Sequence, residues 1–218
     1  MSKDSKFLKN ERIAWLMWIF FSSGLNFRQP NQRIPIMTKK ALIITWSGFQ
    51  DHELVYPYYR LLGAGFETTI VGDKKDELGR FYGIFGLNMP CHELISEFVK
   101  NTNAWLETAD LLVIPGGVKS LEKLRLQKEV KTFIGEWHKR GKLISSTCHG
   151  AQMLISAKIV RGETIAAYYS LQDDIENAGA TYSKDPVVVS GNIVSSPHYD
   201  FMGEWMETTL KEFEDKYV

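Results

Sequence analysis

Lys142-Leu143-Ile144-Ser145-Ser146-Thr147-Cys148-His149-Gly150-Ala151-Gln152 reads as a buried strand that runs through a cysteine into a helix. At such a turn the Cys148 sulfur sits beside the free N–H groups of the helix N-terminus, which together with the helix dipole favour a thiolate. The sharp bend also lifts the side chain above the sheet and aims the following backbone N–H at a developing oxyanion. His149, adjacent in sequence, can turn its imidazole toward the sulfur or toward a carboxylate from elsewhere. The competing reading is an inert core thiol, because free cysteine is among the most buried residue types.

Outward from this turn the chain alternates strands and helices. Ala41–Trp46, Glu67–Val71, Leu111–Ile114, Lys142–Thr147, Thr164–Ala167, Val187–Val189 and Asn192–Ser196 carry strand patterns, and Phe81–Pro90 reads as irregular with a short strand or hairpin. His52–Ala64, Leu124–Arg140, Asp173–Ala178 and Met202–Lys216 carry helical patterns, with Ile95–Phe98 beginning a short helix and Pro57 implying a kink or an early-turn position. Repeated βα units predict an α/β fold with a mostly parallel central sheet covered on both faces. Ligands bind such sheets outside the carboxyl ends of the strands. Ser47–Gln50, Gly116-Gly117, Cys148-His149 and Pro197-His198-Tyr199-Asp200 all fall at that edge, which makes it the expected site.

Composition narrows the function classes. The 218 residues are 44% hydrophobic, enough for one compact domain, and the formal net charge is zero with no basic stripe, so no nucleic-acid footprint is present. No run approaches 18 apolar residues, which argues against a conventional membrane span. Two cysteines, Cys91 and Cys148, fit a reducing, cytoplasmic setting better than a disulfide scaffold. No phosphate-cradling glycine motif implies a nucleotide cofactor, and Cys91-His92 with His52 or His138 gives no zinc-like spacing, so no cofactor or metal is expected.

Residues 1–36 differ from the remainder. Lys3, Lys6, Lys9, Arg12, Arg28 and Arg33 against Asp4 and Glu11 give +4, leaving −4 for the rest. Basic residues, the apolar run Ile13–Phe21 and Ser22-Ser23-Gly24 fit a signal-like segment, which would mean export, while Pro30, Pro35 and Met37-Thr38-Lys39-Lys40 ahead of the first strand fit an alternative start. A packed helix is the third reading. A single domain is expected over 37–218.

Taken together, Gly48-Phe49-Gln50-Asp51-His52-Glu53-Leu54-Val55-Tyr56-Pro57-Tyr58, Ile114-Pro115-Gly116-Gly117, Thr147-Cys148-His149-Gly150-Ala151-Gln152 and Leu171-Gln172-Asp173-Asp174-Ile175-Glu176-Asn177-Ala178-Gly179 resemble the ThiJ/PfpI family, its intracellular protease I-like members in particular. The resemblance covers about residues 39–213. It implies a flavodoxin-like three-layer sandwich, related to glutamine amidotransferases and assembled as dimers or higher oligomers. Activities implied include peptidase or amidase action, glyoxalase action and removal of glyoxal-type adducts from amines. A small-molecule carbonyl compound or a peptide is the implied substrate. The family also implies an alternative in which Cys148 is oxidised reversibly as a redox sensor or stress-protective device, without turnover.

Residue by residue, Cys148 matches the family nucleophile, His149 its neighbouring histidine, and Gly117 and His149 the backbone donors of the oxyanion hole. Glu122 matches a glutamate that some members donate across a subunit interface to orient the histidine, and Tyr168 a tyrosine near the cysteine, with Tyr169 as the alternative. Two departures stand out. Gln50 occupies the position expected for the glutamate that touches the cysteine, and an amide cannot act as a general base. Glu53, at i+3 from it, is expected to cap the helix or face solvent. Pro197-His198-Tyr199-Asp200 replaces an Arg-x-Pro-type sequence, which removes a fixed cation and leaves His198 as a rim acid/base or a structural histidine.

Overall fold

The computed structural model describes residues 39–217; the readings for residues 1–36 lie outside them. Eleven strands are found among the described residues: β1 (Lys40–Ile44), β2 (Glu67–Gly72), β3 (Arg80–Tyr82), β4 (Asn88–Pro90), β5 (Glu93–Leu94), β6 (Leu111–Ile114), β7 (Leu143–Thr147), β8 (Thr164–Ala166), β9 (Thr181–Ser183), β10 (Val188–Ser190) and β11 (Ile193–Ser196). The helices are α1 (Asp51–Gly63), α2 (Ile95–Phe98), α3 (Thr102–Thr108), α4 (Val118–Leu124), α5 (Lys128–Lys139), α6 (Ala151–Ser156), α7 (Gln172–Asn177) and α8 (Met202–Tyr217). Seven strands form the central sheet in the order β10-β11-β7-β6-β1-β2-β5, parallel throughout except for the β10–β11 hairpin.

The apolar alternation along each strand decides the layering, because successive side chains point to opposite faces. Leu42 and Ile44 of β1, Leu112 and Ile114 of β6 and Ile144 of β7 pack with helices α2 to α7. Ala41, Ile43, Leu111, Val113 and Leu143 face α1 and α8. The result is the flavodoxin-like α/β sandwich expected from the sequence. Polar groups inside it are paired across layers. Ser145 Oγ meets Thr209 Oγ1 of α8 at 2.6 Å, and Thr209 also donates to the Trp205 carbonyl at 2.8 Å. Ser145→Ala is expected to cost about 1–2 kcal/mol, read by urea unfolding, since it deprives a buried hydroxyl of one partner.

One expected helix divides in two. Leu124–Arg140 begins only at Lys128, because Gln127 is extended (φ −78, ψ 101) and caps α5, while a separate helix, α4, fills Val118–Leu124. The strong pattern of α5 comes from Val130, Phe133, Ile134 and Trp137, all buried. Phe81–Pro90 is the antiparallel hairpin β3–β4. From β1 the chain adds β2 on one side, and β6 and then β7 on the other, so the carboxyl ends of β1 and β6 diverge at a topological switch point.

Candidate active site

The loops at that switch point are bound to each other by their backbones. Gln50 N donates to Gly116 O (3.3 Å), joining the segment after β1 to the segment after β6. Trp46 N donates to Ser120 Oγ (3.0 Å), and Ser47 N and Oγ both donate to Asp73 Oδ1 (2.7 Å each). Gly48 N reaches Tyr82 O (2.8 Å) and Ile84 N reaches Phe49 O (2.9 Å), which fastens the β3–β4 hairpin beside the site.

Cys148 follows β7 directly. Its φ is +55, a left-handed conformation that a side chain adopts only under constraint, and it opens a single turn of 3-10 helix, Cys148–Gly150, that leads into α6. This is the strand-turn-helix geometry read from the sequence. The side chain is buried with 6% exposure. Backbone N–H groups of His149 and Gly117 point at the sulfur. Gly117 has φ +109, which lets its N–H turn inward. Cys148 Sγ and His149 Nδ1 are 3.2 Å apart. Burial lowers the His149 pKa, so the imidazole is neutral near pH 7.

The carboxylate beside the thiol is that of Glu53, and the expectation for Gln50 is corrected. Gln50 is the N-cap of α1 (φ −74, ψ 122): its Oε1 accepts from Glu53 N (3.1 Å) and its Nε2 lies 3.1 Å from His52 Nδ1. A capping side chain folds back over the first turn of its own helix, so Gln50 is committed there. Glu53, three residues on, is completely buried and turned toward Cys148 and the Gly116 backbone. A Cβ added at Gly116 would stand 2.2 Å from Glu53 Oε2 and 2.8 Å from Cys148 Cβ, a measure of how closely the three pack. The contacts of the carboxylate are with the thiol and Gly116 N–H, and neither is a short, well-aligned bond.

Electrostatics follow from this burial. Desolvation pushes Glu53 up to about 7 against the opposing pull of Cys148 and Gly116. Desolvation and then the Glu53 charge push the Cys148 thiol up as well, and the His149 and Gly117 N–H groups only partly oppose them. The buried carboxylate therefore opposes the stabilisation that the helix terminus gives a thiolate. The pair loses one proton near neutrality, and the second is held far more tightly.

Around this centre the rings of His149 and Tyr168 are 4.7 Å apart, Tyr168 and His198 6.0 Å, and His198 and Tyr199 3.8 Å. Tyr168, not Tyr169, is the tyrosine beside the histidine; Tyr169 is 71% exposed. His198 Nδ1 lies 3.0 Å from Asp200 Oδ2. Glu122 is exposed on α4 and makes no hydrogen bond or ion pair with His149 among the described residues. Sequence reasoning missed Glu53. The signal for Glu53 was capping, since a residue that caps α1 folds its side chain back over the first turn and leaves the inward direction to another residue.

Known proteins share this arrangement of chain and fold. A family model described as the DJ-1/PfpI family matches residues 39–212. A protein named a deglycase from Thermococcus kodakarensis is 33% identical over 79% of this chain and 98% of its own length, and deglycase PfpI of Pyrococcus furiosus is 34% identical over the same shares. The structure of Schizosaccharomyces pombe DJ-1 superposes with a TM-score of 0.73 at 18% identity, covering 82% of this chain and 96% of that one. Among the described residues no helix is long and apolar enough to cross a membrane. With a family model spanning the whole sandwich and relatives of this identity matched over almost their full length, the chain belongs to the DJ-1/PfpI family.

Proposed function

We propose that this chain is a cysteine-dependent enzyme of deglycase type, which removes 2-oxoaldehyde adducts from amines. The observation that carries the proposal is Glu53 beside Cys148: a buried carboxylate with a pKa of about 7, placed to take and return the proton of a nucleophile. The names of the relatives support the same class.

In an aminocarbinol adduct the carbon bears both the amine nitrogen and a hydroxyl. The C–N bond breaks, the Cys148 sulfur bonds to that carbon, and the thiol proton leaves with the amine by way of Glu53 or His149. The product is a hemithioacetal with a neighbouring ketone. Glu53, again a carboxylate, moves the carbon-bound proton to the adjacent carbon while the hydroxyl proton passes to the ketone oxygen by way of His149, which converts the hemithioacetal into a hydroxyacyl thioester without external oxidant. Water then hydrolyses the thioester to a hydroxy acid and restores the thiol. Gly117 and His149 N–H groups face the oxygen that carries charge in each step. The neutral imidazole of His149 serves as the second proton carrier. Glu122 would orient that imidazole only from a second copy of the chain, in an oligomer.

The test follows amine release and hydroxy acid formation from a methylglyoxal–lysine adduct, with mass spectrometry of the protein during turnover. Stoichiometric release above the spontaneous rate, with an acyl mass on the peptide containing Cys148, is the expected result. Absence of turnover alongside ready sulfenic acid formation at Cys148 would support the redox reading instead.

A further inference from the structure

The row of rings at the site does not stop at its rim. Beyond Tyr199 it continues to His52, 5.3 Å away, and both residues line a groove of about 630 Å³ together with Val55, Tyr56, Tyr59 and Met202. From His149 through Tyr168, His198 and Tyr199 to His52 the row measures about 20 Å at most. The groove is thus an extension of the wall that surrounds Cys148. One side of it is α1, the helix that also carries Glu53.

The chemistry of the groove is apolar. Its two charged lining residues are engaged within the chain: Asp51 accepts from Phe85 N (2.9 Å) and Leu87 N (2.8 Å), and Arg60 pairs with Glu207 at 3.1 Å. What remains for a ligand is aromatic and aliphatic surface, with Tyr56 38%, Tyr59 59% and Tyr199 40% exposed. Tyrosines of this kind offer a large contact area at little conformational cost. A groove of this volume accommodates one or two side chains, whereas a stable dimer buries roughly 800 Å² on each partner.

We propose that this groove is a second substrate subsite, which binds an aromatic or long aliphatic side chain of a peptide whose modified residue reacts at Cys148. The inference rests on the deglycase-type reading and specifies its substrate as peptide-borne adducts. An extended peptide advances about 3.3 Å per residue, so the anchoring side chain lies within roughly six positions of the adduct.

The experiment uses the full chain and acetylated hexapeptides, each with one methylglyoxal-modified lysine and either phenylalanine or glycine two to five positions away. At one spacing the phenylalanine peptide is expected to show at least about tenfold higher kcat/KM, the magnitude for burying one aromatic side chain. Tyr59→Ala and Val55→Asp are expected to reduce that ratio toward one. Fluorescence anisotropy of unmodified labelled peptides on Cys148→Ser protein reports the subsite without turnover. No turnover of any adduct, with phenylalanine-dependent binding that Val55→Asp removes, would sink the deglycase reading and leave the subsite standing. Equal kcat/KM and equal binding of the two peptides at every spacing would overturn the subsite, as would a fall in solution mass in Val55→Asp, which would assign the groove to a second copy of the chain.

Discussion

Glu53→Gln is expected to lower kcat/KM for a methylglyoxal–amine adduct by about 10²–10⁴-fold, the usual contribution of a positioned acid–base group. Glutamine keeps the size of the side chain but takes up no proton from Cys148 and returns none. Cys148→Ser removes the nucleophile itself and is the floor against which the loss is judged. Gln50→Glu in the Glu53→Gln background is expected to restore nothing, because residue 50 is the cap of α1 and does not face the sulfur. Recovery of activity in that double variant would place the proton carrier at residue 50 and refute the assignment.

The same substitution has a thermodynamic signature of opposite sign. The Glu53 pKa is raised in the folded protein, from 4.5 to about 7. A raised pKa means that this group favours folding fully below pH 4.5, and that the advantage disappears as pH rises through 7. The loss amounts to roughly 3 kcal/mol between those limits. Glutamine does not ionise, so the variant escapes it. Glu53→Gln should therefore match the wild type near pH 4.5 and exceed it by several degrees in Tm at pH 8, at about 2–4 °C per kcal/mol. Equal Tm differences at both pH values would show that Glu53 is not the buried titrating group.

Gly117→Ala is expected to be severely damaging. The residue has φ +109, and an added Cβ would meet Gln50 N at 2.6 Å and Phe49 C and Cα at 2.9 Å. These are backbone atoms tied to the β6 loop by the Gln50–Gly116 hydrogen bond, so they cannot move aside independently. Positive-φ strain of about 1–3 kcal/mol adds to the collision, for a total of at least about 3 kcal/mol in urea unfolding. The Gly117 N–H would also turn away from the sulfur, and kcat should fall by about 10²-fold or more in whatever fraction folds. Gly116→Ala separates the two effects. Its closest new contacts are side-chain atoms, Glu53 Oε2 at 2.2 Å and Cys148 Cβ at 2.8 Å, with the His149 backbone N at 3.0 Å, so it should cost more in kcat than in stability. A Gly117→Ala protein with wild-type Tm would contradict the backbone geometry on which both expectations rest.

The fold was legible because strands with apolar side chains on both faces, such as Ala41–Ile44 and Leu111–Ile114, mark a sheet covered on both sides. The turn at Cys148 was legible for a related reason: a buried strand that meets a cysteine, a histidine and a glycine has few other ways to bend. Resolution failed where the answer depends on rotation about a helix axis. Gln50 and Glu53 differ by less than one turn, and only the extended backbone at residue 50 determines which of them points inward. The break between α4 and α5 at Arg125–Gln127 contains neither glycine nor proline, so nothing local announced it. The surroundings of the thiol were only half legible, because the sequence displays the helix terminus but not the buried carboxylate opposite it.

Asp51 gives amide hydrogen exchange an unusual vantage point on this site. Its carboxylate, in the first turn of α1, holds the Phe85 and Leu87 amides of the β3–β4 hairpin, more than thirty residues away in sequence. Those two protons are released to solvent only when the hairpin lifts from the start of the helix that carries Glu53, an opening far smaller than global unfolding. The Ile43 and Leu112 positions, in strands paired on both sides, report global unfolding instead. A ligand that steadies the first turn of α1 should therefore slow exchange at Phe85 and Leu87 while leaving the ratio of Ile43 to Leu112 untouched.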